Sequence, residues 1–235
     1  MKTLICTRAD ENIQQMCDIA HPLFKNYAEK CGADFQVLDH ISGCTKGNGR
    51  YHYRIMLFKE LLQEYDRVLH LDTDMVLNVD CPNIFDVVPE GSIGTLYEDK
   101  GSRQPDRQGR MKAVQRSWGD INWTKGYINT GVFLVSKAHE NIFETHNGNY
   151  WTGPGEDDVH LGYKLNQYNH PVHELEFKWN HMTMFSEGWN NKADRFKSNI
   201  IHYAGRGIFD AGCPTKIRQM QKDYAKIYQL EEVAV

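Results

Sequence analysis

Asp72 and Asp74 flank a single threonine, Thr73, at the end of an apolar run from Val68 to Leu71. Residues two apart in an extended chain share a face. The two carboxylates therefore stand side by side at the end of a strand, where open α/β sheets take their ligands. Like charges this close are unfavourable unless one is protonated or a cation lies between them. Oxygen ligands of this kind select a hard divalent ion, Mg²⁺ or Mn²⁺. A turn, where Asp is common, explains the pair without any ligand. A second acidic cluster, Glu156-Asp157-Asp158, follows Gly153-Pro154-Gly155. The positive end of a helix favours acids in its first turn, but three exceed what a cap requires.

The elements that must position these acids are legible as alternating strands and helices. Apolar strands are expected at 3–7, 34–39 and 67–71, with amphipathic helices at 11–31 and 51–64 between them. That order is the pattern of βαβ units and a mostly parallel sheet with helices on both faces. Further strands are expected at 92–97, 128–135 and 199–203, and helices at 137–146, 157–167 and 215–230. The polar segment 98–126 lacks periodicity and is expected to be a functional loop or lid. Its basic residues 100, 103, 107, 110 and 112 suit an anion or a solvated surface. With no repeat or linker, residues 1–235 are expected to form a single domain, on which a C-terminal helix at about 214–231 packs.

Composition narrows the function. The 235 residues carry 27 Lys+Arg against 31 Asp+Glu, a formal charge of −4, which argues against capture of a nucleic acid backbone. No apolar run is long enough to span a membrane, so membrane association is limited to peripheral contact. Residues 1–13 lack the hydrophobic centre of a secretory signal. The six cysteines (6, 17, 31, 44, 81, 213) have no C-x-x-C spacing and read as free thiols, so a cytoplasmic location is expected.

The segment YDRVLHLDTDMVLNVDCPNIFD resembles the metal-binding segment of nucleotide-sugar glycosyltransferases of the GT-A fold. It is most similar to the family of glycogenin and the bacterial lipopolysaccharide galactosyltransferases. Four further segments agree in order: RIMLFKELL before the D-x-D, YINTGVFLVS at 127–136, FKWNHM at 177–182 and IIHYAG at 200–205. The resemblance implies an α/β, GT-A-like fold in which Asp72, Asp74 and His202 hold Mn²⁺ or Mg²⁺ against the diphosphate of a donor, expected to be a UDP-sugar. It implies that Thr7, Asp10, Asp39, Arg54, Asp72, Thr73, Gly205 and Arg206 serve the nucleotide. Asn129 and Glu156 would meet the donor sugar, and Asp157 and Asp158 would be catalytic. The acceptor would be a glycan or another hydroxyl compound.

Two departures from the family pattern matter. The family usually has Asp-Gln-Asp where this chain has Glu156-Asp157-Asp158, so a carboxylate replaces a glutamine. Asp157 can then deprotonate an acceptor hydroxyl, and inversion is expected, with retention as the alternative. The Lys-Pro-Trp that commonly follows the family's late His is missing, and Arg206 stands nearest to its lysine. Trp118, Trp123, Trp151, Trp179 and Trp189 include candidate sugar platforms, although Trp179 suits a core equally. Two other readings are a nucleotidyltransferase, disfavoured by the absence of glycine in TRADENI, and a non-catalytic nucleotide-sugar-binding module.

Overall fold

The computed structural model describes residues 1–38 and 52–230. Strand β1 (Thr3–Arg8) passes through a 3-10 turn at Glu11–Ile13 into helix α1 (Gln14–Cys31), then β2 (Asp34–Leu38). A 3-10 turn at His52–Leu57 opens α2 (Phe58–Glu64), followed by β3 (Arg67–Leu71) and β4 (Met75–Leu77). Next come α3 (Ile84–Val87), β5 (Ile93–Tyr97), α4 (Gln104–Trp118) and β6 (Ile128–Ser136). Helix α5 (Glu156–Gln167), β7 (Val172–Glu174), β8 (Ile200–His202) and α6 (Lys216–Ile227) complete the order.

The central sheet has the order β2-β1-β3-β6-β5-β7, and β4 pairs with β8 in a second, two-stranded sheet. Within the central sheet β6 alone runs against its neighbours β3 and β5. Its first residues therefore lie beside the ends of β3 and β5, which brings Asn129, Thr130 and Gly131 to the edge where Asp72 follows β3. Alternation along β1 sends Ile5 to one face and Leu4 and Cys6 to the other. On the first face α1 contributes Ala20, Leu23, Phe24 and Tyr27, and α6 adds Met220. On the second, α2 contributes Phe58 and Leu62, and α5 adds Leu161 and Leu165. Each large apolar side chain buried this way stabilises the fold by about 1.5–3 kcal/mol.

Three expectations change. Much of segment 98–126 is helix α4, which begins with a proline in its first turn. Its periodicity is faint because Met111 and Val114 share their buried stripe with Arg107, leaving the rest polar and outward. The helix expected at 137–146 is a 3-10 segment, Lys137–Phe143. Its buried His139 and Ile142 are three apart, the repeat of a three-residue turn. The late strand is Ile200–His202, and it pairs with β4 outside the central sheet.

Candidate functional site

Pairing of β4 with β8 sets Met75 opposite His202, so the histidine stands beside the D-x-D although it lies far away in sequence. His202 Nε2 is 3.1 Å from Asp74 Oδ1 and 3.7 Å from Asp72 Oδ2. The other ring nitrogen, Nδ1, is 2.7 Å from Asn180 Oδ1 and donates to it. Nε2 therefore faces the carboxylates. Asn180 is itself held by its amide, which donates to Asn129 Oδ1 at 2.8 Å. The other oxygen of each aspartate is taken by a base: Asp72 Oδ1 by Arg8 Nη2, and Asp74 Oδ2 by Lys216 Nζ at 2.8 Å. One ligand atom from each of the three residues converges, all within 4.8 Å of one another.

This donor set of one imidazole nitrogen and two carboxylate oxygens fits a divalent cation. The electrostatics agree. Burial alone would lower the His202 pKa, but Asp74 and Asp72 outweigh it and raise the imidazole above its ordinary value. Burial would raise Asp74, yet His202 and Lys216 hold it well below the usual carboxylate range. The room for this cluster depends on Gly131. A Cβ there would stand 2.6 Å from His202 Cε1 and 3.0 Å from Asp72 Oδ2.

Helix α5 brings the second acidic cluster to the same cleft, whose volume is about 490 Å³. It starts at Gly155 with φ +88°, where a Cβ would meet Tyr127 and Val159 at 2.5 Å. Asp157 is buried, and its Oδ2 accepts from Arg8 Nη1 at 2.7 Å and from Thr130 Oγ1 at 3.0 Å. Thr130 Oγ1 also lies 2.8 Å from Asp158 Oδ1. One hydroxyl proton cannot serve both acids. Burial, Asp157 and Glu98 push the Asp158 pKa up to about 8, against the hydrogen bonds from Thr130. A protonated Asp158 can donate to Thr130, which then donates to Asp157.

A stability prediction follows from Asp158. Unfolded, an aspartate ionises near pH 4, whereas in the folded chain Asp158 keeps its proton to about pH 8. Between those values the unfolded chain has lost a proton that the native chain holds. Stability from this group is thus complete below about pH 4 and lost as pH rises through about 8. Asp158→Asn keeps a donor for the Thr130 hydroxyl and an acceptor for the Thr130 backbone N–H, which lies 2.8 Å from Asp158 Oδ1, and should flatten that decline in thermal melts. An unchanged slope with pH in the variant would refute the assignment.

The remaining predicted residues divide. Asp10, Thr73, Asn129, Glu156 and Gly205 all line the cleft. Asp10 also caps the following 3-10 turn, and Glu156 lies 3.1 Å from His52 Nε2. Thr7 is fully buried beneath the site, with its Oγ1 3.0 Å from Thr73 Oγ1. Strand alternation turns Arg8 rather than Thr7 to the cleft. Arg54 does not reach across, because its guanidinium donates to the Leu38 carbonyl at 3.2 Å and to that of Ala9. It ties the end of β1 to the end of β2 instead. Arg206 is exposed and outside the cleft lining, after Gly205 has turned the chain outward. Asp39 lies outside the described residues. Among the tryptophans, Trp123 and Trp179 are buried, Trp118 stacks on His146, Trp151 packs against Gly153, and only Trp189 is exposed.

Sequence reasoning missed Arg8 and Lys216. An arginine closing an otherwise apolar strand was the available signal for Arg8. Lys216 carries none, since it reaches Asp74 only because α6 docks across 142 positions.

The sheet, its single reversed strand and the acids at the strand ends are those of a GT-A glycosyltransferase. The chain belongs to glycosyl transferase family 8, whose model matches residues 45–207, and it is a glycosyltransferase. In structure it is similar to a glycosyltransferase involved in glycosylation of the major capsid of PBCV-1, with TM-score 0.59 and 14% identity over 98% of this chain and 100% of that one. It is also similar to the galactosyltransferase LgtC, solved with donor and acceptor sugar analogues, with TM-score 0.58 and 15% identity over 98% and 97% of the two chains. A third similar structure is GlyE of Streptococcus pneumoniae, with TM-score 0.59 and 12% identity over 96% of this chain and 60% of GlyE. No curated protein matches in sequence.

Proposed function

We propose that the enzyme moves a sugar from a UDP-linked donor to a hydroxyl of a glycan or glycoconjugate, using Mn²⁺ or Mg²⁺ held by Asp72, Asp74 and His202. The observation that carries this reading is the convergence of their three ligand atoms above β3. When bound there, the cation supplies Lewis-acid stabilisation of the negative charge that develops on the leaving diphosphate. Lys216 lies beside it with its side chain 24% exposed, and we assign it the phosphate contact of the Lys-Pro-Trp lysine that is missing from this chain. Glu98 accepts from Arg107 at 2.6 Å and from Asn129 Nδ2 at 3.3 Å, which fixes the Asn129 side chain in the cleft and supports its assignment to the donor sugar. Asp10 and Gly205, which also line the cleft, are assigned to the nucleotide. We assign a cytoplasmic setting on the scattered spacing of the six cysteines, which have no C-x-x-C.

For stereochemistry we favour retention, which is typical of the family. Asp157 Oδ2 already accepts two hydrogen bonds, from Arg8 and Thr130. That suits a fixed negative charge beside an oxocarbenium-like centre better than a base that must collect a proton. Inversion with Asp157 as base is the second reading, favoured by the carboxylate that replaces the family's glutamine.

The test is incubation with Mn²⁺ and a panel of UDP-sugars, following nucleotide release and the anomeric proton of the product. UDP release with a retained anomer is expected. Pyrophosphate release would point to nucleotidyl transfer, and binding without turnover to a non-catalytic module. An inverted anomer would restore Asp157 as base.

A further inference from the structure

We infer that Arg8 is the positioning residue of this site, a fixed strut that ties the metal-binding pair to the acidic cluster. The inference rests on the reading of the cleft as a metal-dependent transfer site. Three observations carry it. The Arg8 side chain is only 2% exposed although it borders the cleft. Its fork spans two carboxylates from distant elements, Nη2 on Asp72 Oδ1 and Nη1 on Asp157 Oδ2. Its head and its backbone are secured by three further contacts. Nη1 also donates to the His52 carbonyl at 2.8 Å, Thr73 Oγ1 bonds the Arg8 carbonyl, and Arg54 holds the next residue, Ala9, by its carbonyl.

Two consequences follow from that geometry. Because Arg8 occupies Asp72 Oδ1, Asp72 offers only Oδ2 toward His202 and Asp74, so its carboxylate is presented through one oxygen. Because the same guanidinium holds Asp157, the carboxylate beside the donor sugar is registered against the metal ligands. A planar fork does this, whereas a point charge reaches one partner at a time. The positive charge of Arg8 also opposes cation binding at Asp72. Its role therefore separates two quantities that a merely structural residue would move together. Removing Arg8 should tighten the metal while slowing transfer.

The experiment compares wild type, Arg8→Met and Arg8→Lys by titration with Mn²⁺, read from the EPR signal of the free ion, and by Mn²⁺-dependent UDP release. Arg8→Met is expected to bind Mn²⁺ about tenfold more tightly, and to show kcat about 100-fold lower with little change in the donor KM. Arg8→Lys keeps the charge but not the span. It should bind Mn²⁺ like wild type and still lose kcat by about 100-fold. If Arg8→Met does not fold, Arg8→Lys alone decides. Wild-type turnover in Arg8→Lys overturns the inference, as does Arg8→Met that melts like wild type but binds Mn²⁺ more weakly. A wild type that neither binds Mn²⁺ nor releases UDP overturns the transfer reading, and the inference with it. An active, Mn²⁺-binding wild type matched by both variants overturns only the role of Arg8.

Discussion

Asp74→Asn is expected to lower Mn²⁺-dependent UDP release by about 10³-fold and to abolish the thermal stabilisation that Mn²⁺ with UDP confers on the wild type. The substitution keeps the shape of the side chain and removes one of the two carboxylate charges in the ligand set. Asp74 Oδ1 is the oxygen nearest to His202 Nε2, at 3.1 Å, so its charge stands where a cation shared with the imidazole would lie. Several kcal/mol of Lewis-acid stabilisation depend on such a ligand, and each 1.4 kcal/mol or so is about a factor of ten in rate. The fold should survive. Of the two partners left behind, His202 keeps the amide oxygen as an acceptor, and Lys216 is partly exposed, where such pairs contribute about 0–1 kcal/mol. Equal UDP release with and without Mn²⁺ in the wild type, or an Asp74→Asn variant that keeps wild-type Mn²⁺-dependent release, would refute the metal assignment.

The second large effect is on stability. Asp223→Ala should cost about 3–5 kcal/mol in chemical denaturation, a fall on the order of 10 °C in Tm. Asp223 is fully buried on α6 and accepts four hydrogen bonds. Arg195 Nε donates at 2.8 Å and Nη2 at 2.9 Å, Tyr203 OH at 2.9 Å and Gln219 Nε2 at 3.1 Å. Alanine would take the acceptor from Nε of the largely buried Arg195, leave Nη2 held by Asp210 alone at 3.0 Å, and leave the Tyr203 hydroxyl without this acceptor. The damage reaches the cleft, since Tyr203 follows His202 directly and α6 begins at Lys216. Donor affinity should therefore fall together with stability. A loss below about 1 kcal/mol, within the range of a surface pair, would mean that the network is replaceable.

Much of the site was legible in the chain. The D-x-D after Leu71 depends on a local rule, the two-residue repeat of extended backbone, so its geometry needed no tertiary information. The acids at 156–158 are legible for a similar reason: a helix start marked by Gly-Pro-Gly announces where they point. His202 needed the family resemblance, because only strand pairing with β4 brings it to the aspartates. Helix α4 is not legible in the chain because tertiary packing, through Met111, Val114 and a buried Arg107, supports a helix with little periodicity of its own.

What the sequence by itself determined is the class of chemistry. Residue types and near-neighbour spacing establish paired carboxylates at a strand end and an acidic helix start, since both follow from repeats of two and 3.6 residues. Which cations balance them was decided only by the tertiary structure. Arg8 meets Asp72 across 64 positions and Asp157 across 149, while Lys216 meets Asp74 across 142. No local periodicity encodes such meetings. They follow from which way β6 runs, where α6 docks, and the burial of Arg54 against backbone carbonyls, which leaves the cleft to its neighbour in space, Arg8.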